Sequence, residues 1–283
     1  MAIADPTRSE ETPTLWAGLS LDRPRVMGVL NVTPDSFSDG GRVDPDSAIA
    51  AGLAQWEAGA DIVDIGGESA RPGAPATPPE IERARILPVI RALAAAGVRL
   101  SVDTRHAQTM AEALDAGASI VNDISALSFD AESAAVVAAR RCPVILMHMR
   151  GTPETMMGLA QYSDVVAEVA AELAVRLAAA QKAGIRREAI AIDPGFGFAK
   201  HPPHSLALLR GMAQLTTLGL PIVAGVSRKG FIGSTSGEPQ PARRFPGSIA
   251  AGLFALSRGA SVLRVHDVPE TVQAVRMWHA LND

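Results

Sequence analysis

Eight short apolar runs, each closing on a polar or charged residue, constrain this chain more than any other feature. They are Val26–Asn31 (VMGVLN), Asp61–Gly66 (DIVDIG), Arg99–Asp103 (RLSVD), Ser119–Asn122 (SIVN), Pro143–His148 (PVILMH), Ala189–Asp193 (AIAID), Pro221–Gly225 (PIVAG) and Ser261–His266 (SVLRVH). An Ala-rich amphipathic stretch follows each run, so strand and helix patterns alternate along the chain. Eight strand–helix units in 283 residues predict an α/β fold, a single (β/α)8 TIM barrel. Residues 1–20 read as a flexible N-terminal lead-in and 21–283 as the barrel domain. Barrels of this kind build their active sites beyond the C-terminal ends of the strands. Here those ends carry Asn31, Asp64, Asp103, Asn122, His148, Asp193, Lys229, Arg264 and His266.

The expected helices are 46–58, 79–96, 106–116, 131–140, 163–183, 204–217, 242–257 and 269–281. Three phrases, EAGADIVDIG, DAGASIVNDI and SRGASVLRVH, repeat one junction: a helix end, a Gly cap and a strand start. The stretches 32–44, 67–78 and 229–241 are rich in Gly, Pro, Ser and Thr and are expected to be irregular loops over the strand ends. The first two hold Asp35, Phe37, Glu68 and Arg71.

Composition narrows the class of function. A net charge of −4 from 26 basic and 30 acidic residues gives no overall attraction to nucleic acid or to an anionic membrane. No apolar run approaches the ~20 residues of a transmembrane helix. The N-terminus lacks the apolar segment of a signal peptide. One cysteine, Cys142, excludes an internal disulfide and suits a reducing compartment, so a cytoplasmic location is expected. Cys142 opens an apolar strand and reads as a small buried residue.

The strand ends supply two kinds of chemistry. Ser227 and Lys229 lie two residues apart, as do Arg264 and His266, and residues two apart in an extended segment face one side. The ends of the last two strands then aim four anion-binding groups at one volume, against the alternative of surface salt bridges. Asp103, Asn122 and Asp193 close the third, fourth and sixth strands. They suit either a flat heterocycle rich in N–H and C=O groups or plain helix capping. Asn31 reads as a turn residue or as a neutral ligand to a Mg²⁺ that leans on substrate phosphates. His148 reads as structural, and HPPH at 201–204 as no metal site. No HExxH, CxxC or P-loop occurs.

The segments MGVLNVTPDSFSDGG (27–41), DIGGESARPGA (64–74), SVDT (101–104), VNDI (121–124), DPGFGF (193–198), SRKGFIG (227–233) and RVHDV (264–268) resemble the dihydropteroate synthases of folate biosynthesis. The resemblance runs from about Val26 to the C-terminus. It implies condensation of 6-hydroxymethyl-7,8-dihydropterin pyrophosphate with 4-aminobenzoate, giving 7,8-dihydropteroate and pyrophosphate. By similarity, Asp103, Asn122, Asp193 and Lys229 hydrogen-bond the pterin, and Val29, Ile124, Met149 and Phe198 wall its slot. Asn31 holds Mg²⁺. Arg71, Arg264 and His266 take the pyrophosphate. Phe37, Pro72, Ser227 and Lys229 frame the aminobenzoate, and Asp35 faces the cation that develops at the pterin methylene. A homodimer is implied as well. One departure stands out: the family has a hydroxyl residue where this chain has Ala70. Two other readings predict different residues. A pterin-dependent methyltransferase has no need of SRK and RVH together with an Arg71 loop. A non-catalytic pterin-binding protein predicts lost phosphate ligands.

Overall fold

The computed structural model describes residues 15–33, 38–39 and 42–282. Asp35 and Phe37 lie outside the described residues. Eight parallel strands form the barrel: β1 (Arg25–Asn31), β2 (Ile62–Gly66), β3 (Leu100–Asp103), β4 (Ile120–Asp123), β5 (Val144–Met147), β6 (Ile190–Asp193), β7 (Val223–Ala224) and β8 (Val262–Val265). Each pairs with its sequence neighbour, and β8 returns to β1 with Leu263 opposite Val26. The β6–β7 seam closes through a single bridge, Ile192 with Ile222, where Ile192 N donates to Pro221 O at 2.9 Å. Pro221 has no N–H to give, and it stands just before the strand, where none is needed.

Side chains alternate across a strand, so two inward layers can be read from the register. The lower layer is apolar but for Ser101 on β3: Met27, Ile62, Ile120, Ile145, Ala191, Val223 and Val262 complete it. Two residues further along the same strands stand Val29, Asp64, Asn122, Met147, Asp193, Gly225 and Arg264. A dry floor therefore lies one pleat beneath a polar layer. The intervening residues, among them Val63, Val121, Leu146, Ile192 and Leu263, face outward into the packing against the helices.

The helices are α1 (Pro45–Glu57), α2 (Pro79–Ala95), α3 (Ala107–Asp115), α4 (Ser133–Arg140), α5 (Val165–Lys182), α6 (Pro202–Gly211), α7 (Gly230–Ser236), α8 (Phe245–Ser257) and α9 (Val268–Asn282). Asp44 caps α1 by accepting from Asp46 N and Ser47 N. Among the described residues no helix is long and apolar enough to cross a membrane.

Three expectations need correction. The stretch 229–241 is not wholly irregular, because α7 folds within it around buried Phe231 and Ile232. The sixth helix stops at Gly211 and continues as a 3-10 segment, Met212–Leu218. Part of the lead-in is also built into the fold. Leu15–Trp16 pairs with Leu19–Ser20 as a hairpin. Trp16 is 1% exposed, packs on the apolar floor and donates Nε1–H to Ala189 O at 3.1 Å. A large aromatic at the open N-terminal mouth buries against that floor, so the hairpin closes the barrel from below.

Candidate active site

The polar layer is wired across the barrel. Arg264 on β8 donates from Nε to Asp64 Oδ2 and from Nη2 to Asp103 Oδ2, 2.6 Å in each case. Asp64 Oδ2 also accepts from Asn122 Nδ2 at 3.0 Å. That bond leaves the Asn122 Oδ1 acceptor for a ligand. Burial works against the charge of Arg264, but Asp64 and Asp103 overcome it and raise its pKa. Burial pushes the Asp103 carboxyl up to about 7, against the pull of Arg264. Burial likewise raises Asp193, against its hydrogen bond from Gly195 N at 2.7 Å.

Asp103 does not cap α3, whose first N–H, on Ala107, goes to Asp130 Oδ2 at 2.9 Å. Asp123 is the local structural residue. It accepts from Ser125 N, Ser125 Oγ and Leu127 N.

An apolar wall stands beside this layer. Ile124, Met147, Met156, Phe198 and Ala199 cluster, with Ala70, Met149 and Met157 packed on them. Lys229 Nζ lies 4.2 Å from the Phe198 ring centroid, within cation–π range. Burial, helped by Arg264, pushes Lys229 down to about 8, so it remains mostly an ammonium at neutral pH.

Ser227 and Lys229 do not meet the site by extended alternation. The strand ends at Ala224, and Arg228 between them takes a left-handed conformation, φ +59°. Its neighbours hold that conformation. Arg228 N donates to Ser248 Oγ at 2.9 Å, its carbonyl accepts from Arg244 Nη1 at 3.1 Å, and its guanidinium pairs with Asp267. Ser227 Oγ accepts from His266 N at 3.2 Å and lies 3.1 Å from His266 Nδ1. A hydroxyl hydrogen directed at Nδ1 is the arrangement that would leave Nε2–H free to donate. Burial, with Arg264 and Arg228 nearby, pushes His266 down to about 3, so the ring is neutral.

The loop after β2 carries Ala70, Arg71 and Pro72, the last two exposed. Glu68 ties its neck. Glu68 Oε1 accepts from Thr77 N and from Arg105 Nη2, both at 2.9 Å, and Oε2 accepts from Arg105 Nε at 3.1 Å. Gly73 N donates to Pro153 O at 2.9 Å, so the loop leans on the segment after β5.

The pattern of the pterin binding enzyme family matches residues 27–266. Dihydropteroate synthase of Neisseria meningitidis serogroup B is 45% identical over 271 residues, 93% of this chain and 94% of that protein. The Escherichia coli K12 dihydropteroate synthase is 44% identical over 267 residues, 93% of each. This chain belongs to the dihydropteroate synthase family. Among solved structures, Xanthomonas albilineans dihydropteroate synthase with 4-aminobenzoic acid superposes with a TM-score of 0.89 at 49% identity, covering 94% of this chain and 96% of that one. The same enzyme in complex with 7,8-dihydropteroate gives 0.85 at 47% identity, covering 93% and 95%.

Within this dihydropteroate synthase fold, the structure brings Asp103, Asn122, Asp193, Lys229, Phe198, Ile124 and Met149 to one mouth of the barrel, and Ser227 and His266 into contact. Arg264 stands in the polar layer itself, engaged with Asp64 and Asp103. Sequence reasoning named Asp64 as a strand end and gave it no role. Its position two residues beyond the floor residue Ile62 is the signal that places it inside. Glu68–Arg105 and the set around Lys200 and His148 left no mark in residue spacing. Cys142 is buried, and burial pushes its thiol up to about 11.

Proposed function

We propose that the protein joins 6-hydroxymethyl-7,8-dihydropterin pyrophosphate to 4-aminobenzoate, forming 7,8-dihydropteroate and releasing pyrophosphate, as a step of folate biosynthesis. The observation that carries this reading is the layer of Asp103, Asn122, Asp193 and Lys229 above an apolar floor and beside the Phe198 wall. A pterin is flat and offers N–H donors beside carbonyl and ring-nitrogen acceptors. Carboxylates at Asp103 and Asp193 take the donors, Lys229 supplies a donor to the acceptors, and Asn122 Oδ1 takes one further N–H.

Arg71, Arg264 and His266 bind the pyrophosphate. Arg264 Nη1 is the part of its guanidinium not used by Asp64 or Asp103, and neutral His266 offers Nε2–H. Pro72 and Ser227, with Phe37, frame the aminobenzoate. The bond between the pterin methylene and the pyrophosphate oxygen breaks, and its electron pair leaves with the pyrophosphate. The aniline nitrogen attacks the methylene and then gives its proton to solvent. Asp35, on the first loop, stabilises the positive charge that grows on the pterin. No covalent enzyme intermediate is required.

Asn31 fits a Mg²⁺ shared with the substrate phosphates. Asn31 Oδ1 stands at the strand end beside Gly66, where a Cβ would make ordinary van der Waals contact with it at 3.7 Å. A neutral oxygen ligand suits an ion that keeps most of its waters. When bound, Mg²⁺ neutralises charge on the leaving group.

The protein acts as a homodimer in the cytoplasm. An apolar groove between α8 and α9, lined by Phe245, Ile249, Val272 and Met277, supports a second copy as its occupant. The test of the reaction is pyrophosphate release with both substrates and with each omitted. Release only with both, and its loss in excess EDTA, are expected. Release without 4-aminobenzoate contradicts the reaction, and full turnover in EDTA contradicts the metal.

A further inference from the structure

Lys200 is a buried amine that the reaction above does not use. It is 2% exposed, and its ammonium donates to His148 Nδ1 at 2.8 Å, Gly195 O at 3.1 Å and Phe198 O at 3.0 Å. None of these acceptors carries a formal charge. Burial lowers the pKa of His148, so the ring is neutral. His148 Nε2 lies 3.0 Å from Glu172, whose carboxylate also pairs with Arg150, so Nε2 keeps the proton and Nδ1 offers its lone pair to Lys200. Burying an ammonium against neutral acceptors is costly: burial pushes Lys200 down to about 7, against the pull of Asp193 and Glu172, and an apolar side chain of similar volume would avoid that cost.

What the ammonium does is draw two carbonyls of one turn together. That turn, from Asp193 to Ala199, is tight, and Ala199 within it is strained. Gly195, Gly197 and Ala199 have φ of +69°, +78° and +48°. A Cβ on Gly195 would stand 2.0 Å from His148 O, so the turn presses directly on the end of β5. A left-handed residue other than glycine, here Ala199, persists only where the surroundings hold it. Gly195 is held from both ends, its N–H by Asp193 and its carbonyl by Lys200. Phe198, held through its carbonyl, is the residue whose ring faces Lys229.

We propose that Lys200 is a positioning residue for the pterin slot, holding the Asp193–Ala199 turn so that the Phe198 ring and the Asp193 carboxylate meet the bound pterin. The inference rests on the slot proposed above. Lys200 touches no substrate and acts only through Gly195 O and Phe198 O.

The test is steady-state kinetics on Lys200→Met, Phe198→Leu and the double variant, with Asp193→Asn as the control for the slot. Lys200→Met is expected to raise KM for the pterin pyrophosphate by about 10- to 100-fold, the range for lost hydrogen bonds involving a charged group. KM for 4-aminobenzoate at saturating pterin is expected to stay within about twofold, a split that general loosening of the fold would not produce. Residues acting through one another are not additive, so the double variant should be no worse than the poorer single one. Lys200→Gln keeps donors for the carbonyls on a shorter side chain and should restore part of the affinity. It gives the same readout if Lys200→Met does not fold. An unchanged pterin KM, parallel changes in both KM values, additivity with Phe198→Leu, or failure of both Lys200 variants to fold would overturn the role. If Asp193→Asn and Phe198→Leu also leave pterin affinity unchanged, the slot assignment itself fails.

Discussion

Arg264 on the eighth strand and Asp64 on the second are joined at 2.6 Å across 200 residues of sequence. The strand between them, β1, contributes only Val29 to this layer, so the ion pair spans it and links three sides of the barrel with Asp103 and Asn122. Asp64 is wholly buried. Removing one partner of a buried pair costs about 3–5 kcal/mol when the other charge is left uncompensated; Arg264 keeps Asp103, so the lower figure applies to Asp64. Asp64→Ala should lose that much stability in urea unfolding. A loss below about 1 kcal/mol would show that the layer does not depend on the pair.

Glu82 on α2 is fully buried and accepts from Thr109 Oγ1 at 2.8 Å. Burial pushes its carboxyl up from 4.5 to about 7. The folded protein thus holds this proton more tightly than the unfolded chain. Glu82 makes stability fall as pH rises from about 4.5 through about 7, and the penalty is complete above that. Glu82→Gln removes the titration. The variant should match the wild type at pH 4 and exceed it by up to about 3 kcal/mol at pH 8. Denaturation midpoints across that range decide, and parallel curves would refute the assignment.

The strand positions were legible because each combines an apolar run with a polar end, and seven of the eight helices followed from their periodicity to within a few residues. The short helix Gly230–Ser236 was not legible: only Phe231 and Ile232 in it are large and apolar, amid Gly, Ser and Thr. Trp16 lay in a polar stretch, and only the open bottom of the barrel explains its burial. The strand-end residues were readable one at a time. Their partners were not, since Arg264 finds Asp103 from 161 residues away and Arg105 finds Glu68 from 37. Side-chain pairing at such separations follows from barrel closure and not from local pattern.

Arg105→Met should release the neck of the loop after β2. It removes both bonds to Glu68 while Thr77 N keeps its own. Arg71 then loses its fixed base, and pyrophosphate affinity by calorimetry should weaken by about 10-fold, a loss of ~1.4 kcal/mol. Unchanged affinity in a folded variant would separate the loop's neck from phosphate binding.

Ala70→Thr is a sharper test than its place in a Gly/Pro-rich stretch suggests. Ala70 is half-buried and packs on the Phe198 cluster, so the larger side chain meets neighbours where the sequence predicts open loop. Overpacking of this kind costs about 1–3 kcal/mol, and the lower figure is expected at a site only partly enclosed. The added hydroxyl should tighten pyrophosphate binding or leave it unchanged. If Ala70→Thr weakens binding while Ser69→Ala is silent, the loop does not face the phosphate.

The central claim is that the polar layer above the apolar floor is the pterin pyrophosphate site, and Lys229 tests it most directly. Its ammonium stands over Phe198 and close to Asp193 and Asp103. Calorimetric titration of Lys229→Ala with pterin pyrophosphate should show affinity about 10- to 100-fold weaker, as expected when a hydrogen bond from a charged group worth ~1.5–3 kcal/mol is lost. Wild-type affinity in a variant that melts like the wild type would contradict the account.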